Sequence, residues 1–414
     1  MKQSKPTNKV LGAFLGTIVE YYDYSLYGFS AAIIAEKFFS SQTDHLTKLL
    51  NVFAVYAVAY ISKPVGAYIF GHIGDKYGRK KALSFTIIGI IIPTLIIGLL
   101  PDYSTLGVWS TIILILCRFM QGIFIAGEYD GAAIYVIEHL GEKYQFTASA
   151  ITRCTGVVGL LSGIGITNFF NAHIFPDWSW RIPFLLSVPL GLVTLYYRQK
   201  FDETPEFKEA NNNNPIEKFD VLIKKQWKNI LPLIFLAGGF GATYQISIIF
   251  MKQYLPLVLP TTGNIMSSFS VLIVLCFAVF MPIAGFIADR TGGASLVLRV
   301  ALISTLIASI FFVIAVTYQM PNLGLFASLM LAGSIAPFNA LAHSVVIKSF
   351  AVKERYRIIS FGHTLGSMLM SGTAGYVCLL VIKKYNFNLF PILYVCIFSI
   401  LAYSMTMLFN RDTK

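Results

Sequence analysis

Charged residues are scarce in this sequence, and acidic residues are the scarcest. Only 13% of the 414 residues are charged, with 20 Asp and Glu against 32 Lys and Arg, and 56% are hydrophobic. A soluble domain carries about 25% charged residues. The apolar residues form long runs, such as 87–100 and 271–280, which leave no polar face for water. This composition excludes an ordinary soluble protein and indicates helices in lipid.

Motifs for covalent or metal chemistry are also missing. The five cysteines lie inside apolar runs with no CxxC or Cys/His spacing, which argues against a zinc site or a disulfide framework. No GxxxxGK[ST] loop and no nucleophile elbow is present, which argues against an ATP-driven pump or a membrane hydrolase. We therefore expect no enzyme activity, no cofactor and no metal. The net charge of +12 indicates basic membrane loops and not a nucleic-acid partner.

Twelve stretches are long and apolar enough to cross a bilayer, which needs ~20 residues in a helix. We predict an all-α membrane protein with spans at 11–36, 49–71, 82–101, 106–131, 147–170, 180–199, 229–250, 266–287, 296–317, 322–347, 357–382 and 388–409. The first stretch carries Glu20 and Asp23, which are foreign to a cleaved signal peptide, so it is a membrane helix.

The spans divide into two six-helix halves. A polar, Asn-rich stretch separates them, so we predict an amino-terminal half at 1–198, a central loop at 199–228 and a carboxyl-terminal half at 229–414. The segments 71–79 and 285–293 are similar at a constant offset of 214 residues, and each follows the second helix of its half. Parallel halves of this kind are typical of large secondary transporters.

The loop charges predict the orientation. Outside the helices, 23 Lys and Arg lie on the side of the two termini and the central loop, and six lie on the other side. By the positive-inside rule both termini are cytoplasmic, in an inner membrane.

Charges inside the helices are the functional candidates, because each costs at least ~2.5 kcal/mol at the bilayer centre unless it faces protein or water. All of them lie in the amino-terminal half. Four carboxylates are the candidates for proton coupling: Glu20, Asp23, Glu128 and Asp130. The three bases inside the helices are Lys63, Arg118 and Arg153. A carboxylate whose distance from a base changes with conformation can bind a proton on one side and release it on the other. The alternative is a static ion pair that holds helices together.

Helical spacing groups some of these residues. Glu20 and Asp23 lie three residues apart on one face, beside a row that contains Tyr21 and Tyr24, whose rings can hold an ammonium group. In the fourth helix Arg118, Gln121 and Glu128 share an arc of about 80°, and Asp130 lies elsewhere. We predict substrate contacts from Tyr21, Tyr24, Arg118 and Gln121. His343 and His363, the titratable groups of the second half, are expected to be packed and neutral.

The loop GHIGDKYGRKK resembles the GxxxDxxGRR/K loop of the major facilitator superfamily. The resemblance implies a latch that gates the two halves without binding substrate. The gating residues it implies are Gly71, Asp75, Gly78, Arg79 and Lys80, with Asp289 and Arg290 in the second half.

Further segments are similar to one branch of that superfamily, the metabolite:proton symporters that include proline/betaine transporters. They are GTIVEYYDYSLYG (16–28), RFMQGIFIAGEYDGAA (118–133) and WSWRIPFLLSVPLG (178–191). Asp130 replaces a glycine of that pattern and His363 a common tyrosine. The resemblance implies alternating access and symport of a small polar metabolite with a proton.

The substrate is left with two interpretations. The four acids and three bases inside the helices sum to a charge of −1, and Lys63 and Arg153 are expected toward helix ends. Both features favour a zwitterion such as proline or betaine over a di- or tricarboxylate such as 2-oxoglutarate or citrate. A non-transporting sensor on the same scaffold is the alternative of another class. It would need an output domain, and neither tail exceeds about ten residues. We expect a monomer whose partners are substrate, protons and lipid.

Overall fold

Twelve membrane-spanning segments make up most of the chain. The computed structural model describes residues 6–40, 45–140, 144–171, 174–199, 203 and 218–411, and these residues contain no strand. The first half comprises α1 (Pro6–Phe29), α2 (His45–Tyr77), α3 (Arg79–Leu99), α4 (Val108–Leu140), α5 (Gln145–Phe170) and α6 (Asp177–Gln199). The second half comprises α7 (Phe219–Val258), α8 (Met266–Arg290), α9 (Ser295–Thr317), α10 (Pro321–Val346), α11 (Val352–Tyr385) and α12 (Phe390–Arg411). The predicted twelve-helix fold is confirmed.

Eleven of these segments are long and apolar enough to cross a membrane by length and composition. The segment outside that set is α1, whose second half carries Glu20 and Asp23 among several tyrosines. The polar side chains Thr17, Glu20, Asp23 and Ser25 of α1 are buried against protein. A helix of this kind can span a bilayer, since neighbouring helices shield its charges from lipid.

Several boundaries differ from the sequence prediction: α2 continues to Tyr77 and α4 to Leu140, past the predicted ends at 71 and 131. The first helix ends at Phe29, and a separate short helix, Ala31–Phe38, replaces the end of the predicted span 11–36. The helix α7 begins at Phe219, so residues 219–228 are helical and do not belong to a loop. Hydropathy marks only the part of a helix that crosses lipid, and polar ends that extend beyond it escape detection. Residues 200–202 and 204–217 of the predicted central loop lie outside the described residues.

Two spans of the second half contain a π-helical turn. The turn in α7 covers Gln245–Phe250, and the turn in α11 covers Ser367–Ser371. A π turn adds one residue to a helical turn and redirects the side chains after it, and such turns are frequent at functional sites. Both turns face the interface between the halves.

Glycines let α2 and α4 pack with their backbones in contact. A Cβ on Gly122 would lie 1.8 Å from the carbonyl oxygen of Ala59, and a Cβ on Gly66 would lie 1.9 Å from that of Ile123. No side chain larger than hydrogen fits at either position. Close backbone approach through small residues is a common way for membrane helices to associate.

The two halves touch at both ends. On the side that carries Lys76 and Lys80, named here the basic side, Arg357 of α11 pairs with Asp75 of α2 at 2.8 Å. On the opposite side, named here the far side, Lys252 of α7 donates to the carbonyl oxygen of Phe29 at 3.4 Å. The basic-side contact joins opposite charges, whereas the far-side contact is a long hydrogen bond to a neutral group.

Candidate functional site

A central cavity of about 80 Å³ lies between the halves. Its charged lining consists of Glu20, Lys63 and Arg153, all from the first half. Five tyrosines surround them: Tyr21, Tyr24, Tyr60, Tyr129 and Tyr244. The second half contributes mainly apolar side chains, such as Leu236, Phe240 and Met281. Because a water needs roughly 10–15 Å³ measured in this way, the cavity holds about five to eight water-sized groups, which is the size of a small amino acid.

Glu20 is the acid that reaches this cavity. It is 3% exposed, and its Oε2 atom has no hydrogen-bond partner. Within the described chain no base forms an ion pair with it, although Arg153 and Lys63 act on it electrostatically. A buried carboxylate oxygen without a partner is costly unless it is protonated or meets a ligand. Glu20 is therefore arranged to receive a proton or a cationic group.

Arg153 and Lys63 supply the positive charge of the cavity, each over an aromatic ring. The Arg153 guanidinium lies 3.5 Å from the centre of the Tyr129 ring, and the Lys63 ammonium lies 3.9 Å from that of Tyr60. The expectation that both bases lie toward helix ends is wrong, since both line the cavity. Lys63 lies near the middle of α2, and Arg153 lies about two turns from the start of α5, from where its long side chain reaches the cavity.

Arg118 and Gln121 do not line the cavity, in contrast to their predicted role in substrate binding. Arg118 donates to Gln121 at 2.8 Å, and the Gln121 amide donates to both carboxylate oxygens of Asp23 at 3.1 Å. Thr94 of α3 also donates to Asp23. This buried cluster joins α1, α3 and α4 inside the first half. Glu20 and Asp23, although three residues apart, thus point into different surroundings.

Glu128 forms a buried ion pair with Arg198, at the end of α6, and accepts a hydrogen bond of 2.8 Å from Thr86. It does not meet Arg118, as its shared helical arc suggested. The pair also changes the charge count. Arg198, which the sequence placed at the edge of the central loop, is a buried base. Added to Lys63, Arg118 and Arg153, it balances the four predicted intramembrane acids, so the count of −1 that favoured a zwitterion left out one base.

Asp130 joins the two halves through two histidines. His343 Nε2 of α10 lies 2.7 Å from the carboxylate, and His363 Nδ1 of α11 lies 3.0 Å from it. Arg153 contacts His343 at 2.8 Å, and Tyr129 stacks on His363 with ring centres 4.5 Å apart. The sequence could not group these residues, because more than 200 positions separate Asp130 from either histidine.

The gating residues of the first half meet the second half on the basic side. Asp75 lies between Arg357 at 2.8 Å and Arg79 at 3.3 Å, with all three side chains buried. Arg79 also donates to the carbonyl oxygen of Val352 at 3.0 Å. A Cβ on Gly71 would lie 3.1 Å from the Cα of Arg357, so glycine there lets α11 approach α2. Glu138 adds a second cross-half pair, with Arg355 at 3.4 Å.

The turn between α2 and α3 is tied to the central loop. Gly78 has φ +102°, a conformation that favours glycine, and starts α3 directly after α2. Glu203 accepts hydrogen bonds from the backbone N–H groups of Arg79 (3.0 Å) and Lys80 (3.2 Å). A carboxylate at a helix amino terminus bonds otherwise unpaired N–H groups and opposes the positive end of the helix dipole. Lys80 also donates to the carbonyl oxygen of Gln199 at 2.9 Å.

The corresponding loop of the second half makes a smaller latch. Asp289 accepts hydrogen bonds from the backbone N–H groups of Phe146 (3.2 Å) and Thr147 (2.9 Å), at the start of α5. Arg290 is exposed, lies over the Phe286 ring at 4.2 Å, and forms no ion pair within the described chain. The two loops are therefore related in position but unequal in strength.

Comparisons with known proteins agree with this architecture. The chain is 28% identical to the Proline/betaine transporter of Salmonella typhimurium, over 98% of this chain and 84% of that protein. It is 29% identical to the Glycine betaine/proline/ectoine/pipecolic acid transporter OusA of Dickeya dadantii, over 98% of this chain and 83% of that protein. Among solved structures, the proton:xylose symporter XylE has the same fold, with a TM-score of 0.75 and 14% sequence identity. The match covers 96% of this chain and 94% of the XylE chain.

The partially occluded, inward-open form of XylE from E. coli is similar to the same extent, with a TM-score of 0.75, 15% identity and 97% of both chains covered. A family model described as Major Facilitator Superfamily matches residues 13–371. With that match, twelve spans in two halves, and a cavity between them, the chain belongs to the Major Facilitator Superfamily of membrane transporters.

Proposed function

We propose that the protein imports a small zwitterion, of the proline or betaine type, by proton-driven alternating access. The observation that carries this proposal is the central cavity, where one partner-free acid and two bases lie among five tyrosine rings. A zwitterion needs both signs of charge within a few ångströms, and this cavity offers them. Relatives that match nearly the whole chain carry the names of proline and betaine transporters.

Arg153 and Lys63 are proposed to bind the substrate carboxylate. A guanidinium can donate two parallel hydrogen bonds to a carboxylate, and the ammonium of Lys63 adds a second charge. Both groups lie over tyrosine rings, which hold them in place. A ligand carboxylate would replace these cation–π contacts with stronger, charge-assisted hydrogen bonds.

Glu20 and the tyrosine rings are proposed to bind the cationic end. An ammonium can donate to the partner-free Oε2 of Glu20, and a quaternary ammonium can lie against the faces of Tyr21 and Tyr24. The same cavity therefore accepts proline and fully methylated betaines. Arg118, Gln121 and Asp23 are proposed to hold α1 against α3 and α4, and Glu128 to hold α4 against α6.

The basic side is proposed to be cytoplasmic, in an inner membrane, because the predominance of Lys and Arg follows the positive-inside rule. Contacts at both ends of the interface suit an intermediate between outward-open and inward-open states. Parting Asp75 from Arg357 would open the cavity to the cytoplasm, and parting Lys252 from Phe29 would open it outward. All cavity groups come from one chain, which supports a functional monomer.

A dicarboxylate is the second candidate, and the cavity charge favours it more than the sequence did. Glu20, Lys63 and Arg153 sum to +1, and a protonated Glu20 would leave two cations facing two carboxylates. The five tyrosines are the feature that argues for the zwitterion, since aromatic rings attract cations and do not attract a carboxylate on their faces.

Counterflow in proteoliposomes tests the proposal. Purified protein loaded with unlabelled compound should take up labelled proline or glycine betaine, and an imposed inward proton gradient should drive accumulation above equilibrium. If 2-oxoglutarate or citrate exchanges while proline and betaine do not, the dicarboxylate interpretation replaces the zwitterion. If no member of the panel exchanges, the transport proposal for these substrate classes fails and the sensor alternative gains support.

A further inference from the structure

Asp130 is a buried carboxylate without an arginine or lysine in contact with it among the described residues. Its hydrogen-bond partners are the imidazoles of His343 and His363, at 2.7 and 3.1 Å. An ionised carboxylate in a low-dielectric interior needs a nearby positive charge. Neutral imidazoles supply hydrogen bonds but no charge. The His343 ring separates Asp130 from the Arg153 guanidinium, so a proton on one of the two rings would place a positive charge in direct contact with the carboxylate.

His363 is the ring with room for that proton. His343 already contacts the Arg153 guanidinium at 2.8 Å, so a second positive charge there would face a like charge at contact distance. His363 lines the cavity, its side chain is 17% exposed, and it contacts no arginine or lysine among the described residues. An ionised carboxylate only accepts hydrogen bonds, so His363 Nδ1 carries the hydrogen that faces Asp130. Its Nε2 atom is left as the proton acceptor.

We infer that His363 binds the coupling proton at Nε2, and that the resulting imidazolium–Asp130 pair holds the halves together on the basic side. The inference rests on the proposed proton-driven uptake. It assigns the proton to a cavity-lining residue that is not among the groups proposed to bind the substrate. Glu20 must be ionised to hold an ammonium group and cannot carry the proton at the same moment, whereas Asp23 does not line the cavity.

The Asp130–His363 pair forms the inner layer of the basic-side contact. Asp130 precedes Glu138 by eight residues in α4, or about 12 Å along the helix. Glu138 pairs with Arg355, and His363 follows Arg355 by the same eight residues in α11. The two cross-half contacts therefore lie one above the other, and Tyr356, next to Arg355, also crosses to α4 by donating to the carbonyl oxygen of Gly127.

The proton balance is simple. With the cavity open to the far side, Nε2 takes a proton from water, and the imidazolium pairs with Asp130. When α4 and α11 part on the basic side, the imidazolium loses its counter-charge and gives the proton to water there. The other charged or titratable groups that line the cavity or act on this pair are Glu20, Tyr21 and Tyr24 of α1, Tyr60 and Lys63 of α2, Tyr129 of α4, Arg153 of α5, Tyr244 of α7, His343 of α10 and Tyr356 of α11.

The test compares His363→Gln with His72→Gln in proteoliposomes. Glutamine can donate to Asp130 but cannot become cationic, and His72 is an exposed histidine of α2 outside the cavity. We expect His363→Gln to keep counterflow of labelled proline or betaine within about threefold of wild type, and to lose at least about tenfold of proton-driven accumulation. His72→Gln should match wild type in both. Full accumulation by His363→Gln would overturn the inference, whereas absent counterflow in wild type would instead overturn the proposed function.

A second measurement needs no substrate. Spin labels at Lys81→Cys on α3 and Thr291→Cys after α8, in a background without the five native cysteines, report the distance between the halves on the basic side. Acidification from about pH 8 to about pH 6, the range in which histidine takes up protons, should raise the short-distance population severalfold. His363→Gln and Asp130→Asn should abolish that response. An unchanged response in both variants would contradict the assignment even if transport fails for other reasons.

Discussion

Asp75 of α2 and Arg357 of α11 form a buried ion pair of 2.8 Å that joins the two halves on the basic side. Asp75 also accepts hydrogen bonds from Arg79 and from the backbone N–H of Arg357. One carboxylate therefore satisfies groups of both halves, and they can separate only if its contacts with Arg357 break. The pair lies at the basic end of the interface, outside the cavity that holds the proposed substrate site.

Asp75→Asn should lower the transport rate at least about tenfold and leave substrate affinity within about threefold of wild type. Removing one partner of a buried pair costs about 3–5 kcal/mol, because the other charge is left unpaired. The closed basic side then loses stability and the transport cycle stalls. Initial uptake rates and equilibrium binding separate the two quantities. Asp220→Asn, which changes an exposed carboxylate at the start of α7, is the matched control. A collapse of affinity with the rate preserved would contradict the gating role.

Glu20→Gln should weaken binding of proline or betaine by about 10- to 100-fold. A hydrogen bond or contact between charged groups is worth about 1.5–3 kcal/mol, and the amide keeps the shape of the side chain but not its charge. Equilibrium binding to purified protein checks this without involving the proton gradient. Asp102→Asn, at a far-side ion pair with Arg181, is the control and should bind as wild type does. Equal affinity in Glu20→Gln would remove Glu20 from the site.

Arg153→Lys should weaken substrate binding, and Arg153→Gln should weaken it further. Lysine keeps the charge but loses the planar fork, so we expect roughly tenfold weaker binding, whereas glutamine loses both and should weaken binding roughly 100-fold. Binding of substrate and of its carboxamide analogue should be compared, since only the carboxylate form benefits from the guanidinium. Arg299→Gln, at an exposed position of α9, controls for the loss of one arginine. If the carboxamide binds as well as the carboxylate, this assignment is wrong.

Gly156→Ala should reduce affinity about five- to 100-fold by moving a wall of the cavity. A Cβ on Gly156 would lie 2.8 Å from the Tyr21 ring, and overpacking of this kind costs about 1–3 kcal/mol. The ring can relieve the contact only by moving into the cavity. Gly165→Ala is the matched control in the same helix, because a Cβ there meets no atom within 4 Å. Equal binding by both alanine variants would show that Tyr21 does not shape the site.

Local chemistry predicted the helices well, and it predicted that the residues of segment 71–81 lie close together. A charge-poor run of ~20 apolar residues can exist in lipid only as a helix, so counting such runs recovered all twelve spans. Gly71, Asp75, Gly78 and Arg79 lie within nine residues where α2 ends and α3 begins, so their spacing alone revealed their proximity. The ends of α1 and α7 were less predictable, because hydropathy carries no signal where a helix continues into water or beside protein.

The sequence by itself determined which residues are costly in the membrane, and only the tertiary structure decided how each cost is offset. Glu20, Asp23, Glu128 and Asp130 look alike as intramembrane acids. In the folded chain Glu20 lines the cavity, and Asp23 accepts hydrogen bonds from the Gln121 amide. Glu128 pairs with an arginine, and Asp130 contacts two histidines. Helical periodicity places a side chain on a face but does not say which helix lies opposite. That depends on contacts between residues more than 200 positions apart, such as Asp130 with His363, which form only when the two halves come together.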